Sequence, residues 1–247
     1  MMDKSAVEAI AELEDKNKTI EVGGRTFARR DFTPIQYIPR PEPLTGNTLV
    51  GLLRYIEANP DGSILADCMV RIVDHATVEL VEKCKYDDLG RTVYYRAVLD
   101  QKLPVFPFDN FIDQEAFIIK ARALFEQSDD LDSIIGLVSK VVAQDEITGV
   151  DTGLSQAVTV KKGVAGALTE GAVTKGIYEL RPYRTFRDIP QPAARFILRL
   201  RANDGDVPKV ALFDAEGGSW RYNAIQTIHS YLAESEIIKE AKLPVLA

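Results

Sequence analysis

The sequence predicts an α+β fold in which a curved antiparallel sheet system is covered by a helical hairpin and a C-terminal helix. Three observations predict this class. Runs rich in β-branched and aromatic residues alternate with turn signals, two successive segments carry apolar residues at helical spacing, and an amphipathic segment follows the last two strands. With 247 residues, 46% of them hydrophobic, the chain is long enough to bury a full core.

The first 43 residues are expected to form an appendage to a single domain over residues 44–247. Residues 4–17 have the apolar spacing of a short amphipathic helix, and TIEVGGRTFARR reads as a hairpin around its two glycines. Four prolines then make residues 33–46 an extended connector, because each proline removes a backbone donor and biases its predecessor away from helix.

Six stretches in the domain have the composition of strands, and one of them, residues 146–164, includes the run Ala-Val-Thr-Val at residues 157–160. Residues 64–73, 76–84 and 91–99 predict an antiparallel meander, since short turns separate them. Residues 195–201 and 209–214 predict a further pair.

The helices of the domain are predicted from apolar spacing and from capping residues. Thr48 is expected to begin a helix that ends at residue 58. Residues 114–127 and 129–143 predict the helical hairpin, the second helix beginning after Ser128, and Ser219 is expected to cap the last helix.

Charge and cysteine content exclude several classes of protein. Thirty basic and 37 acidic residues give a net charge of −7, which argues against a protein that coats nucleic acid over its whole surface. Cys68 and Cys84 are too few for a disulfide framework and are expected to be reduced and buried. With no apolar run of signal or membrane-spanning length, the chain is expected to be soluble and cytoplasmic.

One segment, residues 175–201, reverses the charge of the chain. It has seven basic and two acidic residues, so it nets +5 while the remainder nets −12. Arginines interleaved with aromatic rings are suited to phosphate and to stacked bases. We therefore predict a non-enzymatic protein that binds a phosphate-bearing ligand, either nucleic acid or a nucleotide signal. The candidate ligand-binding residues are Arg181, Tyr183, Arg184, Phe186, Arg187, Arg195, Arg199 and Trp220.

The same charges also have a structural interpretation. Arg195, Arg199 and Arg201 alternate with apolar residues, so they would form the wetter face of a strand and pair with acidic helices. Residues 100–151 net −7 and could supply those partners within the chain or in a second copy. A homo-oligomeric protein-interaction module, acting on a host or phage protein, is the corresponding functional alternative.

Catalytic and metal-ligating patterns are weak. Asp109, Asp113 and Glu115 could hold magnesium or manganese in a hydrolase if the fold converged them, although aspartate at a helix start is more often a cap. A single Asp-Thr-Gly at residues 151–153 lacks the second aspartate that an aspartic protease needs. The sequence therefore predicts no catalytic residue, no metal and no cofactor.

Four segments carry a resemblance to a known family. They are FPFDNFIDQEAFIIKARALF, SQAVTVKKGVAG, LRPYRTFRDIPQPAARFILRLR and ALFDAEGGSWRYNAIQTIHSYL, and the likeness spans about residues 44–232. In this order they resemble the YfdQ-like family of uncharacterised phage and prophage proteins, most strongly at PYRTF and ALFDAEGG. The resemblance implies a phage or prophage origin and the cytoplasm of a bacterial host, and it implies no catalytic residues.

Overall fold

The computed structural model describes residues 40–63, 65–84, 90–140, 175–201 and 208–247, with short strand segments and single positions elsewhere. The chain forms two compact units, Met1–Pro41 and Glu42–Ala247. The strands are β1 (Thr19–Val22), β2 (Arg25–Ala28), β3 (Leu44–Gly46), β4 (Cys68–Asp74), β5 (Thr77–Glu82), β6 (Val93–Val98), β7 (Ile112–Asp113), β8 (Glu146–Thr148), β9 (Ala157–Lys161), β10 (Ala172–Val173), β11 (Tyr178–Leu180), β12 (Ala194–Arg201), β13 (Lys209–Asp214) and β14 (Val245–Leu246). The helices are α1 (Leu49–Ala58), α2 (Gln114–Leu124), α3 (Asp129–Val138), α4 (Trp220–Glu234) and α5 (Glu236–Glu240), and Leu65–Asp67 forms a 3-10 turn.

The first unit contains the predicted hairpin. β1 and β2 pair antiparallel, and Gly23 takes a φ of 59°, which a residue without a Cβ adopts freely. Most of the predicted N-terminal helix, most of the proline-rich connector and the predicted turn at residues 203–206 lie outside the described residues.

A five-stranded sheet with the order β14-β4-β5-β6-β3 forms one half of the second unit. The predicted meander is confirmed, since β4, β5 and β6 pair antiparallel in sequence. Both edge strands are parallel to their neighbours and were not predicted. They are two or three residues long, too short to show a strand periodicity. Helices α1, α4 and α5 cover one face and share its apolar core.

The centre of this sheet carries an ionic cluster. Glu79 on β5 is buried and accepts hydrogen bonds from Arg71 on β4 and from Arg96 on β6, the latter at 2.7 Å. Burial raises the pKa of Glu79, but the two guanidiniums outweigh it and hold the pKa below its usual value. The cluster therefore ties three neighbouring strands together.

A four-stranded sheet with the order β11-β12-β13-β7 forms the other half. Alternate residues of β12 face the core, among them Phe196 and Leu198, while Arg195 and Arg201 lie on the exposed face. The structural interpretation of this strand is confirmed in that respect. The helical hairpin of α2 and α3 supplies the other side of the core, and Ser128 caps α3 as predicted.

Helix α4 joins the two halves. Its inward stripe places Trp220 and Ala224 in the core of the four-stranded sheet, and Ile228 and Leu232 in the core of the five-stranded sheet. The α+β class is therefore confirmed, with two largely antiparallel sheets covered by helices. The start of α4 lies at the junction between them. A third, three-stranded antiparallel sheet in the same unit has the order β10-β9-β8, within the stretch predicted as strand.

Two local expectations differ from the structure, one on a helix cap and one on a cysteine. Thr48 caps α1 as predicted, but Ser219 makes no side-chain cap for α4 and donates instead to Glu216. Cys68 is buried, whereas Cys84 is exposed, and the two are not joined by a disulfide. Cys84 lies just beyond the end of β5, so an apolar strand context did not imply burial there.

Candidate functional site

A cavity of about 510 Å³ lies where the two halves of the second unit meet. Four parts of the chain line it: the β4–β5 turn, the connector that follows β6, the segment after β11, and the start of α4 with the end of β13. Among the lining side chains are His75, Asp100, Leu103, Val105, Phe108, Asp109, Tyr183, Arg184, Arg187, Asp214, Trp220 and Arg221. Four of the eight predicted ligand-binding residues therefore share one cavity, which is smaller than a domain groove and typical of a small-molecule site.

The segment that carries three of those residues is irregular in backbone but firmly held. Gln191 is buried, and its side-chain oxygen accepts hydrogen bonds from the backbone amides of Arg184 (3.0 Å) and Thr185 (3.2 Å). The hydroxyl of Thr185 donates to the carbonyl of His75 on the β4–β5 turn at 2.5 Å. These bonds fix the arginines of the segment relative to both sheets.

Arg184 is a buried cation with an incomplete set of partners. Its side chain is 8% exposed, and Nη1 lies 3.5 Å from Oδ2 of Asp214 without forming a hydrogen bond. The guanidinium lies 3.9 Å from the ring centre of Phe108 and 4.9 Å from that of Trp220. Burial lowers the pKa of Arg184, and Asp214 opposes that effect. Because a buried donor without a partner is costly, Nη1 of Arg184 needs an acceptor that the described residues do not supply.

Two further guanidiniums line the same cavity. Arg187 lies 4.0 Å above the ring of Tyr183, and Arg221 lies 5.4 Å from the ring centre of Trp220. Within the described part of the chain, neither makes an ion pair or donates a side-chain hydrogen bond. All three cations at the cavity contact aromatic rings, and Arg184 also lies beside the carboxylate of Asp214.

The cavity also has four carboxylates, and one oxygen of each accepts a hydrogen bond from a backbone amide. Asp74 accepts from the amide of Ala76, and Asp100 from that of Lys102. Asp109 accepts from the amide of Asp214, and Asp214 accepts from the amides of Glu216 and Gly217. The carboxylates therefore shape the turns around the cavity, while the guanidinium donors remain in excess.

Asp109 is held in an unusual backbone conformation. Its φ is 62°, a left-handed value that costs energy for a residue with a side chain. Its amide donates to the carbonyl of Leu212 and its carboxylate accepts from Asp214, so two contacts with β13 stabilise the conformation. This strain lies at the cavity wall.

His75 and Trp220 form an aromatic pair within the cavity. Their ring centres are 4.8 Å apart in an edge-to-face arrangement. Burial lowers the pKa of His75, with opposing influences from Asp74, which raises it, and Arg221, which lowers it. The lowered pKa favours the neutral imidazole of His75 near pH 7. Trp220 is the one tryptophan of the sequence, so its fluorescence reports on this site alone.

The other predicted ligand-binding residues do not line the cavity. Phe186 is fully buried in the core of the five-stranded sheet, so its ring is not open to a stacked base. Arg195 pairs with Glu216 at 3.0 Å, and Arg199 lies on the outer face of β12. Arg181 is exposed and lies 3.5 Å from the carbonyl of Gln191. Their positions in the sequence do not distinguish these four residues from the four that line the cavity.

Sequence reasoning missed three cavity residues of the first importance, His75, Phe108 and Arg221. His75 has no metal-ligating companion at ligand spacing in the sequence, and Phe108 lies in a proline-rich stretch without periodicity. Arg221 has the helical spacing of the inward residues Ile228 and Leu232, but it is exposed and lines the cavity. No local signal marks such residues, because they come together only through the packing of the two sheets.

The metal-dependent alternative lacks its cluster. Among the residues that the structure describes, no three histidine, cysteine, aspartate or glutamate side chains are placed to hold a metal ion. Asp113 is at the start of α2, while Asp109 lies at the cavity wall. The Asp-Thr-Gly tripeptide lies outside the described residues.

Comparisons with family models, with curated proteins and with solved structures give no match. The resemblance to the YfdQ-like family therefore remains an expectation from the sequence. In the described part of the chain, none of the helices is both long enough and apolar enough to span a membrane.

Proposed function

We propose that this protein is a non-enzymatic binding protein whose cavity holds the phosphate group of a ligand against Arg184, Arg187 and Arg221. One observation carries the proposal: three guanidiniums converge on a cavity in which the carboxylates already accept backbone hydrogen bonds. Nη1 of Arg184 has no hydrogen-bond acceptor among the described residues, and a phosphate supplies several acceptor oxygens on one phosphorus atom.

Arginine is the side chain best suited to this task. Its planar fork donates two parallel hydrogen bonds to a phosphate, and it is less strongly hydrated than lysine. Tyr183 and Trp220 orient two of the three forks, so little side-chain entropy is lost when the anion binds. Although the chain has a net negative charge, the cavity brings the guanidinium groups of Arg184, Arg187 and Arg221 to one place.

The distribution of the remaining basic residues favours a small ligand over a polymer. Lys175 pairs with Asp130 of α3 at 2.9 Å, and Arg195 pairs with Glu216. A polymer would need cations in a continuous stripe along its backbone. Because these cations are paired within the chain, a nucleotide fits the unpaired ones better than a long nucleic acid does.

The ion pair between Lys175 and Asp130 also bears on the oligomeric alternative. It joins the basic segment to an acidic helix of the same chain, so the charge asymmetry does not require a second copy. A phage or prophage origin and a place in the bacterial cytoplasm accompany the proposal as expectations.

A titration of the full chain tests the proposal. Binding of inorganic phosphate, mononucleotides, cyclic dinucleotides, short DNA and short RNA is followed at low salt by calorimetry and by Trp220 fluorescence. We expect Arg187→Gln and Arg221→Gln each to weaken binding about tenfold or more, which is 1.4 kcal/mol. Arg195→Gln is the matched control, since this arginine is outside the cavity and paired. Absence of binding by every phosphate compound at low salt would refute the proposal.

A further inference from the structure

The connector between β6 and β7 gives the cavity a second kind of wall. Two of its apolar side chains, Leu103 and Val105, line the cavity and are 40% and 70% exposed. Phe106, next to them in sequence, is buried in the core of the four-stranded sheet, so the connector is anchored while its apolar neighbours remain open. Exposed leucine and valine in a cavity favour a ligand with an apolar face.

An acceptor lies beside this apolar wall. Asp100 uses Oδ1 to accept the amide of Lys102, and the carbonyl of Asp100 accepts the amide of Leu103. Within the described residues its second carboxylate oxygen accepts no hydrogen bond, and both Asp100 and Gln101 line the cavity. A ligand that covers Leu103 would therefore meet an oxygen suited to N–H donors.

The two walls together require a ligand with two different ends. One end is a phosphate for the guanidiniums, and the other is a flat, apolar ring with N–H groups at its edge. The cavity, at about 510 Å³, has room for one small molecule with both parts. We infer that the ligand is a free nucleoside phosphate whose base lies against Leu103 and Val105 and donates a hydrogen bond to Asp100. This inference rests on the proposed phosphate site.

This assignment gives the residues separate roles. Arg184, Arg187 and Arg221 hold the phosphate that all nucleotides share. The connector contacts the base and so distinguishes a nucleotide from a sugar phosphate. Asp100 accepts an N–H group at the edge of the base and so distinguishes a nucleobase from an apolar ring that has no donor.

The test compares ligands that differ by one part. The dissociation constants of AMP, GMP, CMP, UMP, ribose 5-phosphate and adenosine are measured with the full chain by calorimetry. At least one of the four nucleotides is expected to bind tenfold or more tightly than both ribose 5-phosphate and adenosine. In Leu103→Ser and Val105→Ser the affinity for that nucleotide is expected to fall three- to tenfold, while the affinity for ribose 5-phosphate is expected to be unchanged.

Ile119→Ser is the matched control, because Ile119 is 60% exposed and lies on α2 rather than on the cavity wall. Both tested positions are exposed, and the unfolding temperature of each variant verifies that it folds. Asp100→Asn is expected to reduce the affinity for the preferred nucleotide at least fivefold.

Failure of this inference is distinguishable from failure of the proposed function. Equal affinity for nucleotides and ribose 5-phosphate would overturn the base site and leave the phosphate site standing. Tighter binding of an oligonucleotide than of any mononucleotide would overturn the inference in favour of a polymer. An unchanged affinity in Asp100→Asn would remove Asp100 from the base site, and no binding of any phosphate compound would end both.

Discussion

Replacing Arg184 by methionine distinguishes a cation that stabilises the fold from one that serves a ligand. Its side chain is 8% exposed, and the carboxylate of Asp214 lies 3.5 Å away without a hydrogen bond. If the pair were structural, removing one partner of a buried ion pair would cost about 3–5 kcal/mol. If the guanidinium instead serves a ligand anion, its desolvation lowers the stability of the ligand-free protein. Replacing it by methionine then removes that cost from the free energy of unfolding.

The expected magnitude follows from the contacts of the guanidinium. The unbranched methionine side chain keeps apolar contact with Phe108 and Phe196. Arg184→Met loses cation–π attraction to three rings, including Trp220, at about 0.5–2 kcal/mol each. It also removes a desolvation penalty of several kcal/mol. These effects nearly cancel, so we expect the free energy of unfolding to change by about 1 kcal/mol or less.

Urea unfolding, followed by circular dichroism, measures this free energy, and calorimetry measures the affinity for phosphate compounds. Arg184→Met is expected to lose at least tenfold in affinity, about 1.4 kcal/mol, at nearly unchanged stability. Arg195→Met is the control, since that arginine is 58% exposed, pairs with Glu216 and should change neither quantity by much. A loss of about 3 kcal/mol in stability with unchanged affinity would contradict the ligand role and favour a structural cation.

Three further predictions concern a pKa, an ionic cluster and a helix cap. The fluorescence of Trp220 should fall as the pH is lowered, with a midpoint below pH 6.5, because a protonated imidazole quenches indole and burial lowers the pKa of His75. His75→Gln should abolish this transition. A midpoint above pH 6.5 would contradict the prediction. Glu79→Gln should lower the free energy of unfolding by about 1–3 kcal/mol at pH 7. The difference between the two proteins should vanish as the pH falls through the depressed pKa of Glu79, because the side chain is then neutral in both. A difference that stays constant down to the pH of acid unfolding would argue against a role for the charge. Ser128→Ala should lower the free energy of unfolding by about 1 kcal/mol, because it removes the cap of α3. Gly136→Ala on the same helix should raise the free energy of unfolding by about 0.5–1 kcal/mol, since no atom lies within 4 Å of the added Cβ. Equal effects of the two substitutions would contradict the role of Ser128 as the cap.

The sequence by itself determined the features that depend on local pattern. Apolar spacing and the side chain of Ser128 located the start of α3, because periodicity and capping act within one or two turns of helix. Alternation along β12 correctly assigned Phe196 to the core and Arg195 to the exposed face. The short strands β3 and β14 have no such pattern, and only pairing with the neighbouring strand makes them strands.

The tertiary structure alone decided which carboxylate lies beside each arginine of the basic segment. Arg184 and Arg195 look alike in sequence, but Arg195 pairs with Glu216 at 3.0 Å. Arg184 instead lines the cavity, 3.5 Å from Asp214, with one nitrogen that makes no hydrogen bond. Whether a charge is paired depends on carboxylates brought near by packing, and these can be distant in the chain. For the same reason His75 and Trp220, 145 positions apart, meet only in the folded protein. Local periodicity thus gives the elements, while packing gives the site.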